Sequence, residues 1–228
     1  MRAHGVSLVA GSLLALVCNV ALPHDQDDFA FVQLVARSDA WPWLHAGLFV
    51  AVLLVVTGLL GVAAVALAAG TPLRSIANGA LLIGSSLMLT GLVTAGVALR
   101  KAADNTVMVL ETQGSGPDLS GSFFSALGFD RLSYALYGGA AIVLLGVVPM
   151  AIGVGMYQFL GQRLLGAFGV LAGALSAVTG FVQLVAETST RNLFLVASIA
   201  TTAWVMVTGA LLVRGTVEEM RPLTAVDQ

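Results

Sequence analysis

Six stretches of the chain hold no charged residue and carry apolar side chains without strict alternation: roughly 5–23, 46–70, 76–99, 133–157, 164–186 and 192–213. A helix needs about 20 mainly apolar residues to cross about 30 Å of hydrocarbon, and each run meets or approaches that length. Membrane strands would instead appear as segments of about ten residues alternating in polarity, which "AVLLVVTGLLGVAAVALAAG" (51–70) does not do. The pattern predicts an all-α fold: one polytopic transmembrane bundle over 1–228, with six membrane-spanning helices.

The connections are unequal. With six spans, the long segments 24–44 and 100–132 fall on one side as two longer external loops, while "GTPLRS", "QFLGQR" and "ETSTRN" are tight turns. Within the long segments, "FAFVQLVA" (29–36) and "SFFSALGF" (122–129) are too short to span. They are apolar enough to lie on the bundle or in the headgroup zone. "TQGSGPDLSG" (112–121) has the glycine, serine and proline content of an exposed turn. No convincing internal repeat is present.

Composition agrees with the membrane class: 58% of residues are hydrophobic and 10% charged, where a soluble domain carries about 25% charged residues. Ten Lys and Arg against twelve Asp and Glu give no charge excess that would draw the chain to nucleic acid. The single cysteine, Cys18, excludes an intramolecular disulfide and any CxxC motif; amid apolar neighbours it reads as a small buried hydrophobe. Arg2 before the first run resembles a signal peptide. However, no small-x-small site precedes "PHDQDD", and Val17 stands where a lipoprotein signal wants a small residue, so the run is read as a retained span.

Positive charge is split evenly. Arg2, Arg74, Arg163, Arg214 and Arg221 lie on the side of the termini; Arg37, Arg100, Lys101, Arg131 and Arg191 lie on the other. Short loops close to the spans weigh most in the positive-inside rule, and Arg74 and Arg163 sit in such loops. Asp25, Asp27 and Asp28 mark the opposite side. Both termini are therefore expected in the cytoplasm, with the chain in the inner membrane of a bacterium. Richness in Ala, Val, Gly and Arg beside one lysine fits a high-GC genome.

The fifth run has the clearest face. Gly166, Gly169, Gly173, Ser176, Gly180, Gln183 and Glu187 follow at steps of three or four, which places them on one side of a helix. Small residues let backbones approach closely in lipid, so this face is expected to point inward and to make the fifth helix the least lipid-exposed of the six. Leu171, Leu175, Val178 and Val182 form the opposite, lipid-suited face. Gln183 and Glu187 continue the packed face to its outer end. Glu187 there either meets water and Arg191 or faces an interior polar pocket.

Other runs bring polar groups to the same level: Asn19 at the end of the first, His45 before the second, Tyr134 and Tyr137 in the fourth, and Asn192 in the sixth. His45 closes "WPWLH" (41–45). Tryptophan favours membrane interfaces and Pro42 suits a helix's first turn, so the segment reads mainly as an interfacial cuff. A bis-histidine haem is disfavoured, because the other histidines, His4 and His24, lie outside the runs. His24, Asp25, Asp27, Asp28 and His45 lack a metal-specific spacing. No HExxH, GxSxG, P-loop or intramembrane lysine occurs, so no catalytic residue, cofactor or metal is assigned.

"WPWLHAGLF" before the second span, the long segment after the third and the glycine-rich fifth resemble the DUF4386-like families of small six-span bacterial membrane proteins of unknown function. The likeness is one of arrangement over most of the chain. It implies no activity and carries over no site residue.

The reading that follows is a non-enzymatic integral membrane protein. It binds a small or amphiphilic ligand, or a partner subunit, through an external polar pocket of His45, Tyr134, Tyr137, Gln183, Glu187, Arg191 and Asn19. A small-solute transporter is the alternative, with Pro149 as a candidate helix break. A membrane-embedded enzyme or redox subunit using His45, Glu187 and Tyr137 is the second. The lipid bilayer is the expected partner, and a membrane-protein partner or a second copy stays open.

Overall fold

A computed structural model describes residues 1–23, 27–113, 117–185 and 191–215. The first span is Arg2–Ala21, and a short helix, Asp28–Arg37, precedes the second span, Ala40–Ala66. The third begins as Pro72–Val93 and continues without a break through a π-helical turn, Thr94–Leu99, into Arg100–Gln113. The fourth likewise joins Pro117–Ile142, the π-helical turn Val143–Val147 and Val148–Phe159. Arg163–Val185 and Arg191–Arg214 are the fifth and sixth. Six of these helices are long and apolar enough to cross a membrane. The chain is an all-α helical bundle of multi-pass membrane type.

Local chemistry explains the helix ends. Thr71 caps the third span through the Arg74 amide, followed by Pro72 in the first turn. Gly70 at φ 79 and Gly161 at φ 67 make the tight reversals just before "TP" and "QR", a backbone region that β-carbons disfavour. The second helix therefore ends at Ala66, short of the expected 70. It also begins earlier than expected, at Ala40, with Trp41 and Pro42 already inside its first turn.

Each span packs on its neighbours in sequence, the sixth returns to the first, and the fourth leans in to touch the second. Leu8, Leu59, Leu81, Val148, Ile152 and Trp204 meet in the dry centre of this ring. The expectation for the fifth helix needs correcting. Within its apolar window 39% of residues are buried, against 61% in the fourth, so the fourth helix is the centre and the fifth is one of its walls.

The glycine face of the fifth helix nonetheless points inward, and it meets a matching face on the fourth. A β-carbon on Gly166 would lie 2.6 Å from the Gly153 carbonyl oxygen, one on Gly173 2.5 Å from that of Gly146, and one on Gly180 2.6 Å from that of Gly138. The pairs run antiparallel, backbone against backbone, the register shifting by one residue across the π-helical turn between Gly146 and Gly138. Lipid tails are as apolar as leucine, so close van der Waals approach holds these helices together. Leu171 and Val178, on the other face, are exposed as expected.

Among their described residues the two long connections are mainly helical. The third and fourth helices each contain a 41-residue stretch without interruption, roughly 60 Å of helix against about 30 Å of hydrocarbon, so their ends project from the bundle. Asp28–Arg37 lies against these projections. Val32, Val35, Leu99, Ala103 and Ala126 form a small separate core there with Trp41. Phe29 and Phe123, one from each apolar segment, meet edge to face with centroids 5.5 Å apart. Arg100 fastens this cap, donating to the Val35 and Ser38 carbonyls at the end of the short helix and pairing with Asp104 at 2.9 Å. A cation at those carbonyls also complements the helix dipole.

Pro149 does not break the fourth span. Proline lacks an N–H and clashes with the carbonyl four residues back; the π-helical turn Val143–Val147, in which the Val148 amide reaches Val143, widens the helix just before it. The discontinuity sought for a transporter is thus a bulge inside a continuous helix.

Candidate functional site

"WPWLH" forms the first turn of the second span, so residues 41 and 45 share a face and residue 43 points away. Trp43 is 80% exposed, whereas Trp41 is 4% and His45 6% exposed. The segment therefore has two jobs. Trp43 points out from the bundle, and Trp41 and His45 turn inward to join the cap to the bundle.

The Trp41 indole Nε1 donates to the Ala95 carbonyl at 2.9 Å, within the π-helical turn of the third span. Such a turn interrupts the regular helical ladder, which suits a carbonyl that serves an outside donor. Phe31 of the short helix packs edge to face on the same indole, centroids 5.9 Å apart. The His45 ring lies against the indole at 4.5 Å. Its Nδ1 is 3.0 Å from the Trp41 carbonyl. A carbonyl only accepts, so Nδ1 carries a proton and donates to it. Gly96 makes room, since a β-carbon there would lie 2.6 Å from the His45 Cβ.

The other expected site residues divide between two places and the surface. Tyr137 is packed beside the Cys18, Leu48 and Leu92 cluster, its ring edge 2.8 Å from where a Gly91 β-carbon would stand. Gly91 and Gly96 are five residues apart, so Tyr137 lies about 7 Å deeper along the third span than His45. Tyr134 is half exposed within the fourth helix. Gln183 reaches it from the fifth, with Nε2 donating to the Tyr134 backbone carbonyl at 3.3 Å, while its Oε1 is buried with no partner among the described residues. This pair is the part of the expected pocket that the fold brings together across two helices.

Asn19 does not join them. It is exposed and its Nδ2 donates to Ala15 of its own helix at 2.8 Å, because Cys18 is the residue that turns inward, against Gly47. Glu187 lies outside the described residues, as does the side chain of Arg191, whose backbone opens the sixth helix. The same holds for Asn192, His24 and Asp25.

His4, expected outside the spans, belongs to the first helix and fits into the second at Gly61, its Nδ1 3.0 Å from the Thr57 carbonyl. Residues 45 and 61 stand about 24 Å apart along that helix, so His4 and His45 cannot ligate one iron. Among the described residues no group of three or more His, Cys, Asp or Glu side chains gathers as for a metal.

Two buried polar contacts escaped the sequence reading. Ser176 and Thr201 share a hydrogen bond of 2.8 Å between the fifth and sixth spans, and Trp204 Nε1 donates to the Leu165 carbonyl at 3.0 Å. Gly169 was the available signal: its missing side chain admits the Trp204 indole, 2.7 Å from the position of a β-carbon. No family model, no curated protein and no solved structure matches this chain.

Proposed function

We propose that this protein is a non-catalytic membrane protein that binds a small ligand on the side of its helical cap, at the notch between Tyr134 and Gln183. The observation carrying this reading is the Gln183 carboxamide. One end is spent on the Tyr134 carbonyl and the other, Oε1, is buried with no partner among the described residues. A buried acceptor left unpaired costs about 1–3 kcal/mol, and a ligand with a hydrogen-bond donor would remove that cost. The placement of Glu187 and Arg191 next in sequence supports a polar ligand or the polar end of an amphiphilic one. The likeness to DUF4386-like families remains part of this proposal and adds no activity to it.

The test is to purify the protein from its own membranes and look for bound species by native mass spectrometry and by density at the notch. The expected result is a small molecule in contact with Gln183 that Gln183→Leu releases. An empty notch, or the same species retained by Gln183→Leu, would overturn the reading.

The orientation proposed with it is a bacterial inner membrane with both termini in the cytoplasm and the cap outside, supported by Arg74 and Arg163 at the helix starts beside the short connections. A membrane-impermeant maleimide added from the periplasmic side is expected to label Ser115→Cys in a Cys18→Ser background. Protection there, with labelling of a C-terminal cysteine instead, reverses the orientation.

A further inference from the structure

At the opposite end of the bundle from the cap, an open groove of about 400 Å³ runs between the fourth and fifth spans, lined by Val154, Tyr157, Gln158, Ala167, Val170 and Leu171. On each helix the lining residues stand three and four apart and share one face. Beside the groove the backbones touch, a β-carbon on Gly153 being 2.6 Å from the Gly166 carbonyl. Gly153 and Gly166 thus hold the walls together while Val154, Val170 and Leu171 line an apolar trough. Tyr157 and Gln158, both exposed, form its polar rim near the end of the fourth helix.

Arg163 stands one turn beyond Ala167 on the same face of the fifth helix, where that helix begins. It is exposed and, among the described residues, has no ion-pair partner. The Arg163 amide is spent on the Gly161 carbonyl at 3.0 Å, and this end of the helix carries the positive end of its dipole. An apolar trough, a tyrosine and glutamine rim and a cation at a helix N-terminus therefore follow one another along a single line. That order matches an acyl chain, its ester region and a phosphate.

We propose that this groove is a binding site for one anionic phospholipid of the surrounding bilayer, its phosphate at Arg163 and an acyl chain between Val154 and Leu171. The charge selects the lipid, because a zwitterionic headgroup also presents a cation to Arg163. The site lies at the other membrane face from the Tyr134 and Gln183 notch and is independent of it.

The probe is an equal mixture of phosphatidylglycerol and phosphatidylcholine with identical chains, offered to the purified full-length protein in detergent and read by native mass spectrometry. The wild type is expected to retain one phosphatidylglycerol in preference to phosphatidylcholine. Arg163→Gln should weaken that retention by about tenfold or more, the size of one charge-assisted hydrogen bond. Ala167→Trp should displace either lipid by filling the trough, and Arg74→Gln, in the first turn of the third span beside the other short connection, should change nothing. Equal retention of the two lipids by the wild type, or undiminished retention by Arg163→Gln, would overturn the proposal in favour of ordinary boundary lipid. Arg163 is exposed at the first residue of its helix, so its variant decides the matter even if Ala167→Trp does not fold.

Discussion

Gly173→Leu is expected to lower the melting temperature in detergent by about 10 °C or more. A β-carbon at this position would already lie 2.5 Å from the Gly146 carbonyl oxygen and 2.8 Å from the Met150 side chain, closer than real contacts allow. Leucine must therefore push the fourth and fifth helices apart. Overpacking a tight interior costs about 1–3 kcal/mol and occasionally more. The upper end applies here because backbone, which cannot rotate away, is the obstacle. For a chain of this length each kcal/mol moves the midpoint by about 2–4 °C. Gly79→Leu is the control, since nothing lies within 4 Å of its β-carbon position, and its midpoint should stay near the wild type's. Equal stability of the Gly173 and Gly79 variants would remove the basis for the glycine register.

Trp41→Ala should destabilise the protein by about 3–5 kcal/mol, the range for deleting a buried aromatic side chain, and should free the cap. Three things depend on that indole: the hydrogen bond to Ala95, the edge contact with Phe31 and the surface on which the His45 ring lies. Hydrogen exchange should accordingly rise over Asp28–Arg37 before it rises in the spans. Trp41→Phe keeps most of the packing but strands the Ala95 carbonyl, so an intermediate loss is expected. Trp43→Ala removes an equally large side chain from an exposed position and should change stability by about 0.5 kcal/mol or less. Equal effects at 41 and 43 would mean that "WPWLH" is a cuff alone.

Both expectations turn on facts of different legibility. The six helices and their class were readable from the chain because the bilayer imposes a length and a polarity on every span. The inward face of the fifth helix was readable too, because Gly166, Gly169, Gly173 and Gly180 are small for a reason that lipid cannot supply. The partner of that face was not. Gly138, Gly146 and Gly153 stand on the fourth helix among other small residues, and only the folded register shows each opposite a glycine of the fifth. Their neighbours are apolar on every side, so hydropathy cannot tell the core from the lipid.

The candidate site divided in the same way. Tyr134 and Gln183 could be assigned to one level because position along a span sets depth, and the fold joins them. Asn19 has the same depth but a different azimuth, and it faces outward. Trp41 and His45 were legible as interfacial residues by type; that they are buried follows from a helical cap whose short segments were too apolar for loops yet too short to span. What the sequence determined by itself was the number, length and depth of the helices, since these answer to the bilayer one residue at a time. Which face meets which neighbour was decided only by tertiary structure, because in an apolar solvent that choice rests on shape and on a few hydrogen bonds between distant parts of the chain.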